Sequence, residues 1–449
     1  MPLGLPALAN LLADRDGAEP AILHLGIERE LDSAFSLRDA LAHAPRLLMI
    51  SLHWYLQSRS VINAAKRIRS WLPDTTIVLG GLTASVFARE ILEQLPFIDA
   101  VVRGDGEQPV LALRRAIASG PSDQSKLRDV PNLLWRDSQG GLHDNGLTYQ
   151  LDLAGSSELR HGDLRLLRNR ETYVSQALYA DFSEGAESGG YAQAAYLNAG
   201  RGCSVACVNC GGAAPAQVSI CGRQGVLLYP QDKLIRDVEE ALKEGARVLR
   251  MSFDPPAARR HLQTWFDAIG ALGQSLRLVF DLWFLPTTDL LNSMARTFQP
   301  GSTLILSPEC GSETVRKRVR GLPFSNDHLI RSIHEIESRG FRAHCFFAAG
   351  LPTETPQDID QSVALIHRIR NETQSGVSVC PMVADPGSPL FVDPEAHGAT
   401  LTRRSLRDFY DEKGVPNGPG YETNWFTETD ILKACDRLLR EAGLPPVYA

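Results

Sequence analysis

Two blocks of alternating strand and helix patterns constrain the fold of this chain more than any other sequence feature. In the first block, short apolar runs alternate with helical periodicities, which is typical of βαβ units and a parallel sheet. Ligands bind outside the carboxyl ends of such strands, so the turns that follow them are candidate binding sites. The candidate strands of this block are residues 21–25, 46–52, 75–79 and 99–103.

The second block predicts a barrel. Six apolar runs recur with helical patterns between them, which is the pattern of a partial (β/α)6 barrel of the TIM type. Thr355, followed by Pro356, is a predicted N-cap for one of these helices. The chemistry of such a barrel lies at the carboxyl ends of its strands. The six candidate strands are residues 194–198, 247–253, 276–283, 303–306, 342–348 and 376–382.

These patterns divide an α/β chain into four parts. Residues 1–147 are expected to form a Rossmann-like, doubly wound parallel sheet that ends in a hairpin turning at Gly140 and Gly141. The polar residues 148–192 are expected to be a linker, and residues 193–395 to be the partial barrel. Residues 396–449 are expected to form a small, mostly helical extension with a helix near residues 428–441.

Composition excludes several classes of protein. The net charge of −7 provides no overall basic field for nucleic acid or anionic lipid. No run reaches the roughly 18 uncharged apolar residues of a membrane span. The N-terminal segment has no basic region before its apolar stretch, so we expect no secretory signal and a cytoplasmic location. In a reducing compartment, clustered cysteines bind metal more often than they form disulfides.

The strongest local signal is a cluster of three cysteines at Cys203, Cys207 and Cys210. It follows the first strand of the predicted barrel, where a catalytic site is expected. Three thiolates suit either an iron-sulfur cluster with one iron left open or a zinc site that takes a fourth ligand. In the zinc interpretation Cys221 is the fourth ligand.

The spacing Cys-x3-Cys-x2-Cys after Arg201 and Gly202 resembles the signature of the radical S-adenosylmethionine (radical SAM) family. The resemblance implies that Cys203, Cys207 and Cys210 hold a 4Fe-4S cluster and are the catalytic residues. It also implies that S-adenosylmethionine binds the open iron and yields a 5′-deoxyadenosyl radical.

Three more elements of that family occur in the correct order along the barrel. Residues 307–312 resemble its fourth-strand Gly-x-Glu-Ser-Gly element, residues 350–355 its Gly-Leu-Pro-x-Glu-Thr, and residues 386–390 its Pro-Gly-Thr-Pro-Leu. The second strand ends at Asp254, where the family has Gly-Gly-Glu. By this resemblance the barrel residues expected to bind the cofactor are Asp254, Ser307, Glu309, Gly350 and Pro352.

The first domain resembles the cobalamin-binding domains that precede some radical SAM barrels. Residues 80–85 resemble a Gly-Gly-x-His-x-Thr turn, and residues 99–107 resemble the run Asp-hydrophobic-Val-Arg-Gly-Glu-Gly-Glu. The first 202 residues contain no cysteine, which disfavours a methylthiotransferase with a second cluster in this domain. The residues expected to bind cobalamin are Ser51, His53, Trp54, Gly80, Gly81, Thr83, Gly104 and Glu107.

Other expectations concern the surroundings of these cofactors. No Asp-x-His-x-x-Gly strap occurs, so His53 and Trp54 are the candidates for shielding the lower face of cobalt, with Trp54 alternatively a packing residue. The five remaining cysteines are expected mostly to pack in the core. The basic run of Arg316, Lys317 and Arg318 with Arg320 is expected to be a solvated helix face, or to offer one arginine to a carboxylate of S-adenosylmethionine.

The sequence therefore predicts a cobalamin-dependent radical SAM methyltransferase that acts on an unactivated carbon of a small-molecule, lipid or peptide substrate. A low-potential electron donor such as flavodoxin or ferredoxin is the expected partner. One alternative is a rearrangement, cyclisation or oxidation without methyl transfer. Another is a zinc-stabilised, cobalamin-binding sensor without catalysis.

Overall fold

A computed structural model describes residues 3–118, 124–175, 193–416 and 418–448. Within these ranges, none of the helices combines the length and the apolar character that a bilayer span requires. Residues 176–192 of the predicted linker lie outside the described residues.

The first sheet contains three parallel strands followed by an antiparallel hairpin. The predicted hairpin is present, with Gly140 at a φ of +86° in its turn. The hairpin pairs with the third parallel strand and so extends the sheet rather than standing apart. The strands, in spatial order, are β1 (Leu47–Ser51), β2 (Thr76–Gly80), β3 (Ala100–Val102), β4 (Leu133–Arg136) and β5 (Leu142–Asp144).

The strand order of this sheet differs from the predicted doubly wound order, because the strands follow one another in one direction. The first sheet lacks the reversal of strand order of a doubly wound fold because residues 21–25 do not form a strand. Ile22 makes a single bridge to Leu167, and the chain then turns directly into a helix whose first turn is capped by His24 Nδ1, which accepts from the Ile27 amide at 3.3 Å. The predicted strand at 21–25 is therefore wrong.

Helices cover both faces of the first sheet, as in Rossmann-like folds. Ile77, Leu79 and Val101 pack against two helices on one face, and Val78 and Val102 pack against another helix on the opposite face. The helices of this domain are α1 (Gly4–Asp16), α2 (Leu25–Leu31), α3 (Leu37–Ala40), α4 (Ser58–Trp71), α5 (Leu82–Val86), α6 (Ala88–Gln94) and α7 (Glu107–Ala118). Helices α4 and α6 lie on the first face and α7 on the second.

The barrel sheet contains six parallel strands in sequential order, and each coincides with a predicted strand. A separate antiparallel pair, β7 (Gly200–Gly202) and β8 (Val226–Leu228), brackets the cysteine segment. The six barrel strands are β6 (Ala194–Tyr196), β9 (Val248–Met251), β10 (Arg277–Leu282), β11 (Thr303–Glu309), β12 (Arg342–Ala349) and β13 (Gly376–Pro381).

The two faces of the barrel strands pack against different partners. Leu249, Leu278 and Leu304 belong to the large core shared with the surrounding helices, whereas Val248 and Val279 pack with Tyr173. The described part of the segment before the barrel therefore packs against the opposite face of its strands. This segment contains α8 (Leu153–Ser157) and α9 (Arg170–Ser175).

Several of the helices around the barrel begin with a side-chain N-cap. Thr355 caps its helix as predicted: its side chain accepts from the Asp358 amide in a capping box, and Pro356 is the first helical residue. These helices are α10 (Ala214–Cys221), α11 (Gln231–Lys243), α12 (Pro256–Gly270), α13 (Thr288–Thr297), α14 (Glu313–Arg320), α15 (Asn326–Glu337), α16 (Pro356–Glu372) and α17 (Pro389–Val392).

The C-terminal extension joins both domains. Its long helix buries Cys435 and Leu438 in the barrel core, and its short helix packs Phe409 against the first domain. It also contains a two-stranded antiparallel pair, which the sequence does not predict. The elements are β14 (Ala399–Leu401), α18 (Leu406–Tyr410), β15 (Tyr421–Thr423) and α19 (Glu428–Glu441), the last at the predicted position. Short 3-10 turns lie at Tyr55–Gln57, Gln124–Asp129 and Glu395–His397.

Candidate functional site

A cavity of ≈ 880 Å³ lies between the first domain and the barrel. One wall consists of the turns after β1, β2 and β3, and the other contains residues of β6, β7, β9 and α10. The structure thus brings together most of the residues that the sequence predicts for cobalamin. Those that line the cavity are Ser51, His53, Trp54, Gly80, Gly81, Gly104 and Glu107.

Position 81 accepts only glycine because the turns after β1 and β2 are in close contact. Gly81 has a φ of +113°, and a Cβ at this position would lie 2.8 Å from His53 Cα. Thr83, which the sequence also predicts for cobalamin, is buried, and its hydroxyl donates to the His53 carbonyl at 3.0 Å. Thr83 therefore supports the turn from behind and is not among the residues that line the cavity.

His53 and Trp54 form an aromatic part of the cavity wall. Their rings meet edge to face with centroids 4.5 Å apart, and Trp54 remains 56% exposed. Burial lowers the pKa of His53, so its imidazole is neutral at pH 7. An aromatic wall, closely packed glycine turns and a large cavity fit a bulky planar cofactor such as cobalamin.

The three cysteines lie in the loop between β7 and α10. Cys203 and Cys207 are buried, and Cys210 is partly buried. Backbone amides point at two of the sulfurs: Val205 donates to Cys203 Sγ and Gly212 to Cys210 Sγ, both at 3.3 Å. Burial raises the pKa of the Cys203 thiol, and it raises that of Cys210 to about 12. These amide donors would stabilise the thiolates that a 4Fe-4S cluster needs.

The proposed fourth zinc ligand lies elsewhere. Cys221 lines the interdomain cavity and packs with Leu82 and Val86 of the first domain. Among the residues that the structure describes, no three His, Cys, Asp or Glu side chains, those of Cys203, Cys207 and Cys210 included, are grouped so that they could hold one metal ion. The side-chain placement therefore selects neither kind of metal centre, and only the packing of Cys221 against the first domain speaks against the zinc interpretation.

Glu309 connects the fourth barrel strand to the cysteine loop. It ends β11 with a φ of +63° and is buried, and its carboxylate forms an ion pair with Arg320. Arg320 also hydrogen-bonds to Cys207. Burial lowers the pKa of Arg320, but the Glu309 and Cys207 charges outweigh it and raise the pKa above its usual value. A cation thus stands beside one sulfur of the loop.

Asp254, which the sequence predicts to bind the cofactor, has partners for both carboxylate oxygens within the protein. It is fully buried, one oxygen binds Arg259 Nε at 2.9 Å, and the other accepts from the Trp283 amide at 2.9 Å. Burial raises its pKa to about 6. Asp254 therefore connects the ends of β9 and β10, and its neighbours Ser252 and Phe253 line the cavity in its place.

Residues 350–355, the motif that follows β12, are held in place by the carboxylate of Glu354. Gly350 and Pro352 are buried, and a Cβ at Gly350 would lie 2.7 Å from Ile431 of α19. Glu354 Oε2 accepts from the Gly350 amide at 2.7 Å and from the Leu351 amide at 3.2 Å. These contacts organise the loop. Ser307, on β11, is partly exposed.

The basic segment of α14 is solvated only at Lys317 and Arg318. Arg316 is fully buried and donates to the Pro308 and Cys310 carbonyls at 2.9 and 2.6 Å, and Arg320 binds Glu309. A signal for this was present in the sequence. Arg316 and Arg320 follow Val315 and Val319 directly at a spacing of four, which places all of them along one side of the helix.

The sequence did not single out several polar residues of the cavity. His161 is buried and stacks on Tyr229 with ring centroids 5.6 Å apart, and its Nδ1 lies 2.8 Å from Lys233 Nζ. Burial lowers the pKa of His161 to about 4. Arg201 lines the same cavity and donates through Nε to the Tyr229 hydroxyl at 3.0 Å. No motif marks His161, because its partners come from a distant helix.

Known proteins resemble both halves of this arrangement. A family model of the B12 binding domain matches residues 1–114. The solved structure of the radical S-adenosylmethionine methyltransferase TsrM from Kitasatospora setae, with cobalamin and a 4Fe-4S cluster bound, covers 98% of this chain and 88% of its own, with a TM-score of 0.65 and 16% identity. A second TsrM structure, with tryptophan substrate and aza-SAM bound, covers 92% of this chain and 79% of its own with a TM-score of 0.64 and 14% identity. The first 114 residues thus match the B12 binding domain, and the fold of the chain is similar to that of TsrM.

Curated relatives match over shorter regions. The uncharacterized protein MJ0966 of Methanocaldococcus jannaschii is 24% identical over 231 residues, 48% of this chain and 46% of the relative. Hopanoid C-3 methylase of Methylococcus capsulatus is 29% identical over 148 residues, 32% of this chain and 27% of the relative. The chain thus spans about half or less of these relatives. The expected cofactors, cobalamin, a 4Fe-4S cluster and S-adenosylmethionine, agree with what the TsrM structures bind: cobalamin and the cluster in one, and the analogue aza-SAM in the other.

The buried carboxyl group of Glu354 predicts a pH-dependent stability. Burial raises its pKa to about 8, above the ordinary value of 4.5, so the folded protein binds a proton that the unfolded chain releases between these values. Its contribution to stability therefore falls as the pH rises from about 5 to about 8, by at most ~1.4 kcal/mol per pH unit. Urea unfolding of Glu354→Gln at several pH values should lack this decline. The exposed control Glu372→Gln should behave as wild type, and parallel curves for Glu354→Gln and wild type would contradict the assignment.

Proposed function

We propose that this protein is a cobalamin-dependent radical SAM enzyme that transfers a methyl group to an unactivated carbon of an organic substrate. One observation carries the proposal: the predicted cobalamin residues of the first domain and the segment that flanks the three cysteines line the same cavity. Arg201 and Gly202, directly before Cys203, lie in its wall together with His53 and Gly81. A methyl transfer that involves two cofactors requires them to face one substrate across one space.

In this proposal the turns after β1, β2 and β3 hold cobalamin. Gly81 and Gly104 let the turns of this wall pack closely against His53 and Cys221, and His53 and Trp54 offer their aromatic surface to the cofactor. His53 is neutral at pH 7. Cobalamin, when bound, supplies the methyl group, and the protein contributes the shape and the low polarity of this wall.

The cysteine loop holds the iron-sulfur cluster in the same proposal. Cys203, Cys207 and Cys210 supply the sulfur ligands, and the amides of Val205 and Gly212 stabilise their negative charge. Arg320 offsets part of the charge at Cys207 and is itself held by Glu309. Three cysteine ligands would leave one iron of the cluster open for S-adenosylmethionine. Cys221 does not serve as a fourth ligand in this proposal, because it packs between the domains.

The partners follow from this chemistry. Reduction of the cluster needs a low-potential electron donor, for which flavodoxin or ferredoxin is suitable, and we place the reaction in the cytoplasm, where such donors act. The barrel wall of the cavity offers Tyr196, Asn198 and Ser252 to a substrate. The substrate is therefore proposed to be an organic molecule with polar groups and an unactivated carbon.

A second candidate is cyclisation without methyl transfer. The anaerobic magnesium-protoporphyrin IX monomethyl ester cyclase of Rubrivivax gelatinosus is 44% identical to this chain over 48 residues, 11% of the chain and 9% of the relative. Such a reaction would use the same cofactors in the same cavity. A cobalamin-binding sensor without catalysis is the third candidate, and it would need neither an iron-sulfur cluster nor cleavage of S-adenosylmethionine.

Isotope labelling separates these functions before the substrate is known. The reconstituted protein is incubated anaerobically with cobalamin, reductant and S-adenosylmethionine labelled in its methyl group. We expect 5′-deoxyadenosine to form and the label to appear on cobalamin. Formation of 5′-deoxyadenosine without label on cobalamin would overturn the methyl transfer in favour of cyclisation. Formation of neither would favour the sensor.

The cluster ligands predict a specific iron content. Anaerobic reconstitution should load about four irons per chain, and Cys207→Ala should lose most of this iron together with the cleavage of S-adenosylmethionine. Cys345→Ala is the matched control, because Cys345 is also buried but lies on β12 beside Ser375. Equal iron content in the two variants would contradict the assignment of the loop.

The close backbone contact at Gly81 leads to a prediction about how tightly the protein binds cobalamin. A side chain at position 81 would collide with the backbone of His53, so Gly81→Ala should weaken cobalamin binding tenfold or more, measured by visible spectroscopy after loading. Gly140→Ala is the control: its φ is also positive, at +86°, but nothing lies within 4 Å of the added Cβ. If both variants bind cobalamin as wild type does, the wall assigned to cobalamin is wrong.

A further inference from the structure

The two arginines that flank the cysteine loop bind the same carboxylate of the first domain. Arg201, just before the loop, donates from Nη1 to Asp105 Oδ1 at 2.8 Å, and Arg223, just after α10, forms an ion pair with Asp105 Oδ2. Arg201 also donates from Nη2 to Glu107 Oε1 at 2.5 Å. Asp105 therefore joins the beginning and the end of the segment that carries the cysteines.

This ion network is buried and connected to the backbone. Asp105, Glu107 and Arg223 are 6%, 3% and 6% exposed. Asp105 Oδ2 accepts from the Leu151 amide at 2.8 Å, and Arg223 donates to the Leu151 carbonyl at 3.1 Å. Because the charges are removed from water, salt screens them little, and their geometry is fixed by several hydrogen bonds.

Apolar contacts hold the same segment from a second direction. Ile220 and Cys221 of α10 pack against Leu82 and Val86 of α5. A Cβ added to Gly104 would lie 3.2 Å from the backbone of Cys221, so the two domains are in close contact here. Both ends of the segment are thus attached to the first domain, and the cysteines lie between them.

We propose that Asp105 and Glu107 are positioning residues that hold the three-cysteine loop in register with the interdomain cavity. The first domain then has a role besides offering a cavity wall: its contact with the barrel orders the loop of the barrel. The part of this inference that concerns the cofactors rests on the proposed function. The ordering of the loop does not, since it is a property of the chain alone.

The arrangement distinguishes Asp105 from an ordinary interface residue. Asp144 provides the comparison, since it forms an ion pair with Arg103 at the same turn, but both residues belong to the first domain. Loss of the Asp144 carboxylate leaves the contacts of Arg201 and Arg223 in place. Loss of the Asp105 carboxylate removes an ion-pair partner from both arginines at once.

The first test is hydrogen–deuterium exchange of the full-length chain before any cofactor is loaded. In Asp105→Asn, the amides of residues 201–223 should exchange at least tenfold faster than in wild type, whereas Asp144→Asn should leave them unchanged. Unchanged exchange in folded Asp105→Asn would overturn the inference. If Asp105→Asn does not fold, Arg223→Gln and Arg223→Lys replace it, with faster exchange expected in the first and a smaller effect in the second, which retains the charge.

The second test measures position directly. In the loaded and reduced protein, pulsed electron paramagnetic resonance reports the distance between the reduced cluster and cob(II)alamin. In samples matched for cofactor content, Asp105→Asn should broaden this distance distribution, and Asp144→Asn should leave it narrow. A distribution that stays narrow in Asp105→Asn would overturn the positioning role. If the wild-type chain binds neither cofactor, the proposed function fails, while the exchange experiment still decides whether Asp105 orders the loop.

Discussion

The contact of Asp105 with Arg201 and Arg223 is the interaction on which the geometry of the candidate site depends. A buried carboxylate between two buried or half-buried arginines is stable only when every partner is correctly placed, because an unpaired charge in this environment would be costly. The pairing therefore favours one relative placement of the turn after β3 and the segment that carries the cysteines. The walls of the cavity belong to two domains, yet they meet in a defined way because of this contact.

The two parallel sheets provide the remaining constraints. Strand carboxyl ends on one edge of the first sheet supply Ser51, Gly80 and the turn around Gly104, and the barrel supplies Tyr196 and Ser252 from corresponding positions of its own strands. Close backbone contact at Gly81 keeps the turns of the first sheet together. The C-terminal extension adds a third support, since it packs on both the barrel and the first domain. The reaction that we propose is thereby placed in the cavity between the two domains.

Most elements with local sequence signals are predicted correctly, whereas contacts with distant residues are not. The six barrel strands, α19 and the capped start of α16 were predictable, because their signals are periodicity and capping within a few residues of one another. The predicted strand at 21–25 is wrong, because Ile22 makes only a single bridge and a helix capped by His24 begins at Leu25, so the first sheet has no strand from these residues. The prediction that Asp254 binds the cofactor rests on its place where the radical SAM family has Gly-Gly-Glu, and in the structure its carboxylate binds Arg259. The basic run of α14 is expected to be solvated or to offer one arginine to S-adenosylmethionine. Lys317 and Arg318 are exposed, whereas Arg316 and Arg320 bind groups of β11 and of the loop after it.

The amino-acid sequence by itself determined the three-cysteine loop, the glycine turns and the order of elements that carry the resemblance to B12-dependent radical SAM proteins. These features are local, so spacing and residue type suffice to reveal them. Only the tertiary structure decided which side chains meet across the domains. Asp105 and Arg223, like His161 and Lys233, are far apart in the chain and become neighbours through folding. Buried charges must be paired, but which pairs form depends on how the domains pack, and no local pattern encodes that choice.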